Sequence, residues 1–278
     1  MSPIRFALNR MSAPRMGFAD YAAMTRRLGV AAIEIRNDLD GVEINDGTPA
    51  QAIGEIARAH GLAIRSINAL QRFEQFDAER QAEAVALAQY ARDCGAEALV
   101  LCPTNSRRDA RSADERHAAL VHALTSLKPI LADHGLVGLV EPLGFEECAV
   151  RHKALAVRAF EEIHADATFR LVHDTFHHHL SGQGLFFPEW TGLIHISGVE
   201  DSAITVPDMR DGHRVLVGAD DRLANAAQIR RLFDAGYTGY VSFEPFAESV
   251  AASSAIEAEL AASMAWLQGA VDAAAVAA

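Results

Sequence analysis

Apolar and polar residues along the chain fall into two alternating periods. Eight short apolar runs, Arg5–Asn9, Ala31–Arg36, Ala63–Leu70, Ala98–Pro103, Leu136–Leu143, Phe169–Asp174, Leu193–Gly198 and Tyr240–Phe246, have the length of buried strands. Between them lie longer stretches of helical spacing, among them Thr48–His60, Asp77–Cys94, Ser112–His134 and Ala224–Ala235. Several helices end in a glycine-containing turn that runs straight into the next strand: HGLAI, CGAEALV, HGLVGLV and AGYTGYV. Glycine just past a helix end supplies the left-handed cap.

Eight strands in strict alternation with helices, and no Pro/Gly/Ser-rich linker, predict an α/β protein: a (β/α)8 TIM barrel forming a single domain over residues 1–278. A doubly wound open sheet is the competing arrangement, but no GxGxxG follows the first strand. The alanine-rich tail Ala251–Ala278 reads as a closing helix.

Composition narrows the function classes. A hydrophobic content of 50% is enough for a large core, and 22% charged residues is close to the globular average. The net charge of −12 argues against a nucleic-acid partner, which needs a basic face. Cys94, Cys102 and Cys148 form no CxxC pair, so neither a disulfide framework nor a zinc ribbon is expected, and a reducing compartment suits them. There is no run of 18 uncharged apolar residues and no signal-peptide core at the N-terminus. The expectation is a soluble, cytoplasmic protein with no membrane partner.

In a barrel of this kind the active site lies at the C-terminal ends of the strands. The fifth to eighth strands each finish on a good metal ligand: Glu141 in LVEPLG, Asp174 in LVHDTFH, His195 in LIHISG and Glu244 in VSFEPF. One such carboxylate is easily a cap or an ion-pair partner. Four in phase on adjacent strands are hard to account for that way, because burying them without a cation is costly. Three carboxylates and an imidazole suit one divalent metal ion (Mn, Zn, Co or Mg), with open positions for substrate oxygens. In LVHDTFHHHLSG the conspicuous histidines are then secondary to Asp174. Strand alternation turns His173 towards the helices, and His178 is expected to pack in a loop.

These segments resemble the xylose isomerase-like superfamily of TIM barrels, and within it the inosose isomerases (2-keto-myo-inositol isomerases). The resemblance is carried by AIEIRND (32–38), INAL (67–70), GLVEPLGFEECAV (138–150), HDTFHHHLSG (173–182), LIHISGVED (193–201), HRVLVG (213–218) and VSFEPF (241–246). It implies that Glu141, Asp174, His195 and Glu244 are the metal ligands. It implies further that His177 and Arg214 contact substrate oxygens, and that Glu34, Arg36 and Asn68 line the pocket. For the last three, an internal ion-pair network at the barrel mouth is an equal alternative. HRVLVG lacks the tryptophan and proline of the relatives' DRVWPG-like loop, and GFEEC carries two extra acids; both departures touch the pocket rim.

The implied reaction moves a ketone to a neighbouring hydroxyl-bearing carbon, from 2-keto-myo-inositol to 1-keto-D-chiro-inositol. It needs a base at each carbon, for which Glu141 and Glu244 are the natural pair, with His177 assisting. The same ligands would serve a ketose 3-epimerase or a 3-dehydroshikimate dehydratase, and a non-catalytic sugar-binding barrel is the alternative from another class. The partner is a small molecule, an inosose or a ketose. Homodimers and tetramers are common in the superfamily, which leaves a homo-oligomer open. Arg107, Arg108 and Arg111 (SRRDAR) read as a solvated face or as a phosphate contact.

Overall fold

Eight parallel strands close into a barrel in the order β1-β2-β3-β4-β5-β6-β7-β8. The structure, a computed structural model, describes residues 3–165 and 167–276. The strands are β1 (Phe6–Asn9), β2 (Ala32–Arg36), β3 (Ala63–Gln71), β4 (Ala98–Cys102), β5 (Val137–Val140), β6 (Phe169–Asp174), β7 (Thr191–Ile196) and β8 (Val241–Phe243). The helices are α1 (Phe18–Arg27), α2 (Ala50–Ala59), α3 (Ala78–Cys94), α4 (Ala113–His134), α5 (Lys153–Glu162), α6 (Thr175–Ser181), α7 (Asn225–Asp234), α8 (Glu248–Ala251) and α9 (Ile256–Val276). The closing helix expected over Ala251–Ala278 is α9, and residues 277–278 of that span lie outside the described residues.

Helix boundaries follow local chemistry. The Asp77 side chain accepts from the Arg80 amide and starts α3, and Ser112 with Glu115 forms a reciprocal capping box on α4. Gly95 and Gly135 close these helices at φ 82° and 69°, a region that costs glycine little.

Strand alternation divides the apolar residues between two cores. Val100, Leu139, Val172 and Leu193 point into the barrel and fill its interior. Their neighbours Leu99, Leu101, Leu171, Ile194, Ile196 and Phe243 point outwards and join the main core with the helix faces. Two residues further along the inward face of β5, β6 and β7 come Glu141, Asp174 and His195, and Glu244 follows Ser242 on β8 in the same way. The expected runs at the fifth and eighth positions reached Leu143 and Phe246, whereas the strands stop at Val140 and Phe243. The ladder still reaches the next residue in each case: the Glu141 amide donates to Leu101 O (3.1 Å) and that of Glu244 to Ile196 O (2.8 Å).

His178, expected in a loop, lies with His177 and His179 in the helix α6. Asp174 ends β6 and its Oδ1 accepts from the His177 amide at 3.0 Å, so it is also the N-cap of α6. Among the described residues no helix is long and apolar enough to cross a membrane.

Candidate metal centre

Glu141, Asp174, His195 and Glu244 are all buried, and one potential ligand atom from each lies within 4.8 Å of the others. Asp174 pairs with His195 in the β6–β7 register, and His195 with Ser242 in β7–β8, which sets three neighbouring strand ends at one height. Three carboxylate oxygens and one imidazole nitrogen converging in this way fit a divalent ion.

His195 is the electrostatic centre of the cluster. Its Nδ1 lies 2.9 Å from Glu141 Oε1 and 3.2 Å from Glu244 Oε2, and its Nε2 lies 3.1 Å from Glu34 Oε2. Burial disfavours the imidazolium, but the carboxylates of Glu244, Glu34 and Glu141 outweigh it and hold the pKa well above the ordinary value. Glu244 shows the counterpart. Burial would raise its pKa, yet His195, Arg214 and Arg36 keep its carboxyl well below the usual range.

Glu34 is fully enclosed. Its Oε2 accepts from Ser66 Oγ (2.5 Å) and Asn68 Nδ2 (3.0 Å), and its Oε1 from the Ser242 hydroxyl. Burial pushes its carboxyl up, but His195 and the hydroxyls of Ser242 and Ser66 bring it down to about 2. Arg36 donates to Glu244 Oε1 (2.7 Å), to both Asp38 oxygens (2.7 Å each) and to Asn9 Oδ1 (3.3 Å). Glu34, Arg36 and Asn68 are thus joined to Asn9, Ser66, His195, Ser242 and Glu244 in a hydrogen-bonded network at the barrel mouth.

Arg214 is likewise engaged. It donates through Nη2 to Asp174 Oδ2 (2.7 Å) and Glu244 Oε2 (3.0 Å), and through Nε to Ser197 Oγ (2.9 Å). It thus ties two of the four clustered residues together. His177 differs: it is buried between Phe145 and Phe176, with ring centroids 5.3 and 5.2 Å away, and its Nδ1 has no hydrogen-bond partner. An unpaired buried ring nitrogen is costly unless something outside the protein satisfies it. Of the SRRDAR arginines, Arg111 pairs with Glu74 (2.7 Å) and Asp109 (2.8 Å), Arg107 lies 3.7 Å from Glu147, and Arg108 is exposed.

The β5 loop reaches this helix through a glycine. A Cβ at Gly144 would stand 2.1 Å from His177 O and 2.8 Å from Leu180 Cβ, so any side chain there displaces α6. We expect Gly144→Ala to cost roughly 1–3 kcal/mol, the usual range for overpacking, read as a lowered thermal midpoint. An unchanged midpoint would mean that the loop and α6 do not pack this closely.

A model of the xylose isomerase-like TIM barrel family matches residues 22–270. The chain belongs to this family. A xylose isomerase domain-containing protein (stm4435) from Salmonella typhimurium LT2 is 31% identical, with a TM-score of 0.85 over 97% of this chain and 96% of that one. The crystal structure of the IolI protein with a bound zinc atom is similar at 21% identity and a TM-score of 0.85, over 97% and 99% of the two chains. D-psicose 3-epimerase from Clostridium cellulolyticum H10 follows at 13% identity and a TM-score of 0.76, over 96% and 99%. The last two likenesses speak for the fold alone. Among curated proteins none matches the chain.

Within the xylose isomerase-like barrel, several residues around the cluster were not anticipated from the sequence. Asn9 Nδ2 donates to Glu244 Oε1 (3.2 Å), and the Cys102 thiol lies 3.6 Å from Glu141 Oε2. Both end strands in the inward parity, and Asn9 is the register partner of Glu34. Applying the strand-end rule to β1 and β4 would have found them.

Proposed function

We propose that this chain is a metal-dependent isomerase that moves the ketone of a cyclic polyol, 2-keto-myo-inositol, to the neighbouring carbon. The observation that carries the reading is the convergence of Glu141, Asp174, His195 and Glu244 at the open end of the barrel. A zinc atom in the IolI neighbour accords with it. Glu141, Asp174, His195 and Glu244 would hold the ion. A divalent cation there supplies Lewis acidity towards substrate oxygens and offsets enediolate charge, whichever of the suitable metals is bound.

The chain's own residues divide the remaining work. Glu141, whose oxygens among the described residues have His195 and the Cys102 thiol as hydrogen-bond partners, keeps lone pairs to take a proton from one carbon. Glu244, held ionised by Arg36 and Arg214, serves the other carbon. His177 has an unpaired Nδ1 to offer a substrate hydroxyl. Arg214 donates to both Asp174 and Glu244 and so aligns these two carboxylates.

Proton NMR in D2O with Mn²⁺ and a panel of inososes, ketohexoses and 3-dehydroshikimate tests this. The expected result is deuterium at the carbon α to the ketone of 2-keto-myo-inositol, with 1-keto-D-chiro-inositol accumulating. Turnover of a ketohexose alone would replace this reading with 3-epimerisation. No exchange on any member would leave a sugar-binding barrel.

The charge state of His195 adds a measurement independent of substrate. Its Nδ1 faces Glu141 and Glu244, so an ion held by these groups must displace the imidazole proton. We expect about one proton released per divalent ion bound near neutral pH, as coupling of metal binding to ligand deprotonation requires. Calorimetry in two buffers of different ionisation enthalpy reads it. Binding without proton release would show that His195 is already neutral in the free protein, its one proton on Nε2 towards Glu34.

A further inference from the structure

Behind Asp174, outside the barrel wall, lies a polar cluster that the proposed chemistry does not use. Lys153, on the first turn of α5, is buried, and its Nζ lies 2.8 Å from Nδ1 of both His173 and His178. Among the described residues it has no carboxylate partner within ion-pair distance. His173, wholly buried on the outward face of β6, has its Nε2 2.8 Å from Gln228 Oε1 on α7. Gln228 Nε2 in turn donates to Thr175 O (3.1 Å) and Leu223 O (2.7 Å). Phe186 covers the cluster, its ring centroid 4.4 Å from that of His178 and 5.4 Å from Lys153 Nζ.

The donor and acceptor roles close without conflict. The lysine amine has two N–H bonds to give in either protonation state, so Nδ1 of each histidine accepts. His173 then carries its proton on Nε2 and donates it to the Gln228 carbonyl, which leaves the Gln228 amide to donate to Thr175. The result is a continuous chain of bonds from α5 across β6 to α7. It grips residues 173, 175 and 178. Asp174 and His177 lie between these grips and face the barrel mouth. An apolar side chain at Lys153 would leave Nδ1 of both histidines without this donor. What the amine adds is direction.

We propose that Lys153 and Gln228 are positioning residues that hold the His173–His178 segment from outside the barrel and so fix where Asp174 and His177 stand inside it. The proposal rests on the metal-site reading only for the second of its two readouts.

The first readout is amide hydrogen exchange in Lys153→Met, which keeps the apolar stem, and in Gln228→Met as the second variant. The His177 amide, held by Asp174 Oδ1 at 3.0 Å, should exchange at least about tenfold faster. Amides of β1 and β2, far from the cluster, should keep their wild-type rates, which a general loss of stability would not allow. The second readout is Co²⁺: its dissociation constant should rise about tenfold and its visible spectrum should change, as for residues that orient metal ligands. Wild-type exchange at His177 in either folded variant would overturn the proposal, whatever cobalt does. If the wild-type protein takes up no cobalt, the metal reading fails, and exchange at His177 still decides this one.

Discussion

Glu244→Gln is expected to lower kcat by about 10³-fold with metal still bound, within the range for loss of a positioned acid/base group. The size of the effect follows from how the side chain is held. Arg36 and Asn9 donate to its Oε1, and Arg214 to its Oε2. An amide can present only one carbonyl oxygen to these donors, and its NH2 then faces a guanidinium or an asparagine amide. Arg36 and Arg214, both buried, also lose a counter-charge. The loss should fall on kcat rather than on KM, because the carboxylate is needed at the step where a proton moves. Metal analysis beside steady-state kinetics separates this from simple loss of the ion. Wild-type turnover by a metal-loaded variant would remove the two-glutamate mechanism.

The fold was legible because it is written in two periods that do not blur. Apolar runs of strand length and glycine-capped helices repeat around the barrel, and the caps at Asp77 and Ser112 mark helix starts to the residue. That Glu141, Asp174, His195 and Glu244 would meet was legible for the same reason: each stands at the same parity on the next strand. The environment of Glu34, Arg36 and Asn68 was not. Whether a strand-end side chain turns to substrate or to its neighbour depends on the register of β2 against β3 and on hydroxyls at Ser66 and Ser242, three strands apart round the barrel. The helix over Thr175–Ser181 escaped because seven residues are too few to show a period, although aspartate at its head is a common cap. Lys153 and Gln228 left no local trace, since only the fold brings them to the two nitrogens of His173.

Glu34→Gln is expected to have the opposite signature: metal affinity lower by 10- to 100-fold, about 1.4–2.7 kcal/mol, with kcat recovered at saturating ion. The glutamine side chain fits the same space, since Ser66 and Ser242 hydroxyls can turn from donor to acceptor. What the substitution removes is the charge behind His195. In the wild type the Glu34 carboxylate receives His195 Nε2 at 3.1 Å, which orients the ring and raises the basicity of Nδ1 towards an ion. The folded pKa of Glu34, about 2, lies below its ordinary value of 4.5. Its contribution to stability is therefore present above pH 4.5 and lost as pH falls towards 2, so wild type and Glu34→Gln should converge in stability over that window. Titration with Mn²⁺ followed by activity at saturation distinguishes the two glutamates. Glu244→Gln stays slow at any metal concentration, whereas Glu34→Gln recovers. A Glu34→Gln protein that binds the ion as tightly as wild type would show that His195 needs no carboxylate behind it.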